Sequence, residues 1–157
     1  DKKIKRIGLI SDTHGLLRES AVEALADSDI IIHAGDIDTP EIIDALKTIA
    51  PVFPVRGNMD RNPDCTALPK YEIVEMDAFS IYVLHDIAQL DLDPAAAGFA
   101  VVVSGHSHQP GIKYRDNVLY INPGSAGPRR FTLPISVGML EIEDGSITPK
   151  IITLDEY

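Results

Sequence analysis

The 157-residue chain predicts an α/β fold, and three patterns carry that expectation. Its first third alternates apolar, β-branched runs with amphipathic stretches, the mark of parallel βαβ units. Most of the remainder reads as strands separated by turn residues. Five of the apolar runs stop at residues able to hold a metal ion, so the strand ends point to one shared functional edge.

Taken in order, residues 4–10 read as a buried strand leading straight into Ser11-Asp12-Thr13-His14-Gly15. Leu17, Ala21 and Leu25 recur at helical spacing with Val22 and Ala24 beside them, which predicts a helix over 18–26. Residues 29–33 form a short apolar strand, followed by Gly35-Asp36-Ile37-Asp38. Thr39-Pro40-Glu41 is a helix start: a capping hydroxyl, proline at the first helical position and an acid in the first turn. Ile42, Ile43, Leu46 and Ile49 supply that helix's buried face. Residues 51–55 give the next strand, and Arg56-Gly57-Asn58-Met59-Asp60 follows it.

Residues 71–76 and 80–84 read as a hairpin across Asp77-Ala78 that ends at His85-Asp86. Asp93-Pro94 opens a short alanine-rich helix that Gly98 ends. Residues 99–103 are a core strand running into Gly105-His106-Ser107-His108, with the turn Gln109-Pro110-Gly111 behind it. Strands over 112–115 and 118–121, the turn Asn122-Pro123-Gly124-Ser125, and strands over 134–143 and 146–154 around Asp144-Gly145 complete the pattern. No repeat, low-complexity segment or linker interrupts it, so residues 1–157 are expected to form one domain.

Composition narrows the function. With 45% apolar and 24% charged residues the chain is ordinary globular material, and no apolar run approaches a membrane span. Cys65 is the only cysteine, which excludes disulfide stapling. Together with a start, Asp1-Lys2-Lys3, that carries no signal-peptide pattern, it sets the expectation of a cytoplasmic protein. A net charge of −10 argues against a surface that grips long nucleic acid or an anionic membrane. A small phosphate ester bound at a local positive centre is compatible with it, and a metal pair supplies such a centre.

The residues past the five strand ends are Asp12 and His14, Asp36, Asn58, His85, and His106 with His108. Singly, each has a plainer explanation: Asp12 as a helix cap, Asp36 as a turn aspartate, Asn58 as turn chemistry after Gly57. His33 lies inside a strand and reads as a structural or supporting histidine. Joint placement favours the other reading, because four of the five histidines sit at strand C-terminal ends. Imidazole, carboxylate and amide oxygen suit Mn²⁺, Fe²⁺, Co²⁺, Ni²⁺ or Zn²⁺. Seven such groups are too many for one ion and suit two that share a carboxylate.

Asp12-Thr13-His14-Gly15, Gly35-Asp36, Gly57-Asn58-Met59-Asp60, His85 and Gly105-His106-Ser107-His108 stand in the order and type of the calcineurin-like metallophosphoesterases. More narrowly, the chain resembles the small YfcE-type phosphodiesterases, which are related to the retromer subunit Vps29. Asn122-Pro123-Gly124-Ser125 with Pro128-Arg129 is similar to that subfamily's closing motif. The resemblance implies a four-layer αββα sandwich of two mixed β-sheets, with a dinuclear metal site at the strand C-terminal edge. It implies Asp12, His14, Asp36 and His108 around one ion, and Asn58, His85 and His106 with a bridging Asp36 around the other. Asp36, Asn58 and His106 then also count as catalytic residues. The implied reaction is hydrolysis of small phosphodiesters by a bridging hydroxide, with two divalent ions, Mn²⁺ foremost, activating water and phosphoryl group. Arg18 and Arg56 flank the motifs and are candidates to clamp a phosphate oxygen.

Two positions depart from the family pattern. Met59 stands where larger relatives carry histidine, so no proton donor follows Asn58, and a preference for good leaving groups is expected. Asp86 replaces the usual glycine after His85, either supporting a ligating imidazole or simply occupying a loop. The competing functions are a Vps29-like interaction scaffold without turnover, and a phosphomonoesterase. A homo-oligomer is possible on this reading, with strands such as 80–84 extending a sheet across an interface.

Overall fold

The computed structural model describes residues 4–58, 60 and 63–154. Its first third is β1 (Lys5–Ile10), α1 (Glu19–Ala24), β2 (Ile30–His33), α2 (Pro40–Lys47) and β3 (Val52–Pro54), with β1, β2 and β3 parallel. A short helix α3 (Pro63–Thr66) follows, unanticipated although Pro63 is a fitting first residue. The hairpin β4 (Tyr71–Met76) and β5 (Phe79–Leu84) leads through a 3₁₀ turn (Ile87–Gln89) and α4 (Pro94–Ala97) to β6 (Val101–Val103). Then come β7 (Gly111–Arg115), β8 (Val118–Asn122), β9 (Ser136–Glu143) and β10 (Ser146–Thr153).

These strands make two mixed five-stranded sheets, β10-β9-β1-β2-β3 and β4-β5-β6-β8-β7. The first completes its parallel core with β9 antiparallel beside β1. The second has β5, β6 and β8 parallel, with an antiparallel strand at each edge. Residues 80–84 thus lie inside a sheet, paired on both sides, and cannot extend it; its edges are β4 and β7. The hairpin turns use residues that tolerate φ > 0: Asp116 and Asn117 between β7 and β8, Asp144 and Gly145 between β9 and β10.

Period-two alternation sorts the apolar side chains into layers. Ile7, Leu9 and Ile32 face Ile81, Val83, Val101 and Val103 in a core between the sheets. On the opposite face of the first sheet, Ile10 and Ile31 meet Leu25 after α1 and Ile42, Ile43 and Leu46 of α2. An eight-residue helix is not stable alone; burying each of those three side chains is worth about 1.5–3 kcal/mol. Thr39 occupies the N-cap of α2 but makes no side-chain capping bond, so burial and Pro40 carry the helix start. The outer layer of the second sheet is thin. The 3₁₀ turn, α4 and their flanks cover Tyr82, Leu84 and Val102, while all five residues of β7 stay exposed. Among the described residues, no helix is long and apolar enough to cross a membrane.

Candidate metal centre

The loops after β1 and β2 are zipped together by three backbone bonds. Asp12 N donates to Gly35 O at 2.9 Å, His14 N to Asp36 O at 2.9 Å, and Gly15 N to Ile37 O at 3.0 Å. The histidine loop after β6 joins them, with Gly105 N on His85 O at 2.9 Å and His106 N on Asp12 Oδ2 at 3.1 Å. From the chain's later part, Ala126 N binds Ser11 O and Ser125 Oγ binds Asp12 O. Strand ends distant in sequence therefore hold one another by hydrogen bonds that specify position, not only by sheet packing.

Asp12 sits at the middle with its side chain fully buried. Its Oδ2 accepts from Ser11 Oγ at 2.8 Å and from His106 N, which leaves Oδ1 facing inward. Around Oδ1 stand His108 Nε2 at 3.6 Å, His14 Nε2 at 3.9 Å and His85 Nε2 at 3.9 Å. Asp36 Oδ2 lies 3.2 Å from His85 Nε2 and 3.7 Å from His14 Nε2. His85 Nδ1 donates to Ala34 O at 2.7 Å, so Nε2 is the nitrogen turned to the carboxylates. The result is two adjoining donor sets, Asp12–His14–His108 and Asp12–Asp36–His85, each with its ligand atoms within 4.8 Å of one another. Asp12 is common to both, and Asp36 also faces histidines of both.

The electrostatics follow from burial. Removal from water pushes the Asp12 carboxyl up to about 7, against the pull of His85. Burial also opposes charge on His85, but the Asp36 and Asp12 carboxylates outweigh it and raise its pKa above the ordinary histidine value. Burial, and then the Arg130 guanidinium, pull His108 down to about 4, which keeps it a neutral imidazole.

Five of the seven sequence-chosen ligands are thus in the two sets; His106 and Asn58 are on the rim. The His106 ring stands edge-on to His85, centroids 5.1 Å apart, with Nε2 3.8 Å from Asp86 Oδ2. Asn58 lines a polar cavity of about 230 Å³ with Arg56, Lys70, His85 and Asp86. Arg56 lines this cavity while its Nη1 donates to Thr66 O at 3.4 Å, and Arg18 Nη2 donates to Gly127 O at 3.1 Å, tying the first motif to the chain's later part. Asp86 caps a turn: its Oδ1 accepts from Ala88 N at the start of the 3₁₀ turn, while its Oδ2 stands 3.8 Å from His106 Nε2, too far for a hydrogen bond. Met59 lies outside the described residues.

Backbone strain concentrates here. Asp12, His14, Asp36, His106 and His108 all have φ between 46° and 73°, a region ordinary residues avoid. Gly105, which flanks the histidines, does not do the turning. Its lack of a side chain is what matters, since a Cβ there would strike Ser11 Oγ and come within 2.9 Å of Asp12 Oδ2.

Three supporting residues have no ligand role and were not singled out for one. Asp60 Oδ1 accepts from Ile37 N and Asp38 N, both at 2.7 Å, and Oδ2 from Gly57 N at 2.8 Å and Asp36 N at 3.0 Å. In the sequence it stands as the last residue of the Gly57-Asn58-Met59-Asp60 motif, with no role attached to it. Asn122 Nδ2 donates to Gly105 O at 3.0 Å, so the residue of an apparent tight turn props the histidine loop.

The third is His33. Its Nδ1 accepts from Gly35 N at 3.1 Å, its Nε2 must then carry the proton and donate to Thr13 Oγ1 at 3.0 Å, and Thr13 Oγ1 donates to Ile37 O. Burial holds its pKa at about 3 against an ordinary 6.5. Below pH 6.5 the unfolded chain therefore takes up a proton that the native state refuses. Stability should fall toward pH 3 by up to about 1.4 kcal/mol per pH unit from this group. Urea midpoints across that range, wild type against His33→Ala, measure it; identical slopes contradict it.

The donor set fits a cation. Among the described residues, Asp12 Oδ1 and His14 Nε2 are buried without a hydrogen-bond partner, a rare condition for one buried polar atom and more so for two that converge. Neutral imidazoles and carboxylates together suit a borderline divalent ion. Fold and site thus define an α/β protein with paired His/carboxylate donor sets at the C-terminal edge of its parallel strands.

The chain belongs to the calcineurin-like phosphoesterase superfamily, whose domain model matches residues 6–145. It is 36% identical to a probable metallophosphoesterase of Methanothermobacter thermautotrophicus, over 93% of this chain and 91% of that one. It is 27% identical to a phosphodiesterase of Methanocaldococcus jannaschii, over 88% of this chain and 93% of that one. Among solved structures, Vacuolar Protein Sorting 29 from Cryptosporidium parvum shares the fold, with a TM-score of 0.77 at 20% identity over 99% of this chain and all of that one.

Proposed function

We propose that this protein hydrolyses small phosphodiesters with two divalent ions held at the Asp12–Asp36 centre. The observation that carries the reading is the pair of adjoining donor sets that share Asp12. One ion would be held by Asp12, His14, Asp36 and His108, and the other by Asp36, Asn58, His85 and His106. When bound, the ions, Mn²⁺ foremost with Fe²⁺, Ni²⁺, Co²⁺ or Zn²⁺ as alternatives, supply Lewis-acid charge and a water acidic enough to attack phosphorus.

The chain's own residues do the rest. Asp12 and Asp36 cancel two of four positive charges, and the net +2 suits a phosphodiester anion. Asp36, Asn58 and His106 border the reacting phosphoryl group, His106 and Asn58 on the exposed rim where substrate arrives. Arg56 and Lys70 in the rim cavity hold phosphate oxygens. Arg18 acts on phosphate only by releasing the Gly127 carbonyl.

The test is hydrolysis of bis(p-nitrophenyl) phosphate with added Mn²⁺. Wild type turns over, and His108→Ala lowers the rate by about 100-fold or more. Turnover with none of the five metals moves the assignment to an interaction scaffold, the reading that likeness to Vacuolar Protein Sorting 29 favours. Faster cleavage of p-nitrophenyl phosphate makes it a monoesterase.

A further inference from the structure

We propose that one arm of the substrate lies in a groove on the outer face of the second sheet, and that this arm is a nucleoside carrying a phosphate of its own. The substrates are then short oligonucleotide-like diesters, an inference that rests on the phosphodiesterase reading above.

The groove exists because the outer layer of that sheet is thin. The 3₁₀ turn, α4 and their flanks cover β5, β6 and Val118 of β8 but leave the edge strand β7 exposed, and beside it lies a cavity of about 510 Å³. That is a size suited to a small organic ligand. Its near end is the histidine loop itself. Ser107, between His106 and His108, lines it and is held by Asn122 Nδ2 at 3.2 Å. Ile87 lines the same end and follows Asp86, whose carboxylate faces His106. A phosphoryl group at the metal centre thus has its ester oxygens close to the groove mouth.

The walls select the chemistry. Ile87, exposed, gives an apolar side, and Tyr120 of β8, opposite Lys113 on the β7–β8 ladder, gives an aromatic one. Farther along β7 come Lys113 and then Arg115, whose guanidinium stands 5.8 Å from the Tyr120 ring centroid. Among the described residues no carboxylate pairs with either cation, in a chain whose net charge is −10. From Gly111 to Lys113 is two residues of strand, about 7 Å, and Arg115 is as far again. This is the length scale of one nucleoside between two phosphates. Apolar and aromatic walls serve a base, and cations at strand spacing serve a phosphate. The groove ends with β7, so it accepts a nucleotide and not a long strand, in keeping with the overall acidity.

The experiment uses the Mn²⁺-loaded protein and the double variant Lys113→Glu/Arg115→Glu, both on the exposed edge strand. The ratio of kcat/KM for the 5′-phosphorylated dinucleotide pTpT to that for bis(p-nitrophenyl) phosphate falls about tenfold or more in the variant, through KM. Calorimetric binding gives a readout without turnover. Wild type binds thymidine 5′-monophosphate at least about tenfold tighter than inorganic phosphate or thymidine, and the variant loses that preference. An unchanged ratio, or no preference in wild type, overturns the groove assignment. If wild type cleaves neither diester, the phosphodiesterase reading fails, and the nucleotide-binding preference alone decides the groove.

Discussion

Replacing Asp12 with asparagine is expected to lower kcat/KM for bis(p-nitrophenyl) phosphate by about 10³-fold or more, while the chain still folds. The size of the effect follows from position. Asp12 would be a ligand of the first ion, and its Oδ1 also stands 3.9 Å from His85 Nε2 of the adjoining set, so one substitution removes a ligand and disturbs the neighbouring site. An amide also suits the site poorly. Oδ2 accepts from Ser11 Oγ and His106 N, so an asparagine must keep its oxygen there and turn an NH₂ toward the histidines and the ions. The raised carboxyl pKa, about 7, adds a sign for pH. Below that value the carboxyl takes up a proton that competes with the ions, so metal affinity in the wild type falls as pH drops through 7. Steady-state rates with Mn²⁺, together with circular dichroism of the variant, measure the loss; a decrease under tenfold in a folded variant contradicts the central role given to Asp12.

Asp60→Ala is the second large effect, and it acts on stability first. The Asp60 carboxylate satisfies four backbone N–H groups, those of Asp36, Ile37, Asp38 and Gly57. Alanine leaves these donors without their partner in a buried place, at a cost of about 4 kcal/mol or more. The loop holding Asp36 loses its anchor in the same step. Metal affinity should therefore fall by about 10- to 100-fold even where the variant remains folded. Urea midpoints and Mn²⁺ titration separate the two; a variant within about 1 kcal/mol of wild type would show that the four bonds are replaceable.

The contrast between these residues shows what was legible in the sequence. Asp12, His14, Asp36, His85 and His108 were readable because each follows an apolar run, and parallel strands bring their C-terminal ends to one edge. Strand and helix order was readable for the same reason, since periodicity reports which face is buried. Element ends were less so. The strand expected over 99–103 spans Val101–Val103, because Phe99 N already binds Pro94 O at the end of α4. Asp60 and Asn122 stood inside recognised motifs, but their roles escaped because they bond backbone groups, which have no residue identity in the sequence. The left-handed φ of His106 and His108 was hidden likewise, since glycine is the residue that usually signals it and here Gly105 serves close packing instead. The groove along β7 could not be foreseen either, because it is made by the shortness of what covers the sheet.

The most direct test is the number of ions the protein holds. Titration of metal-stripped wild type with Mn²⁺, counted against chain concentration, is predicted to saturate at two ions per chain. His108→Ala is predicted to lose the ion shared with His14, and His106→Ala the ion shared with His85. Saturation at a single ion, or no specific uptake at all, would contradict the two-ion centre built around Asp12 and Asp36.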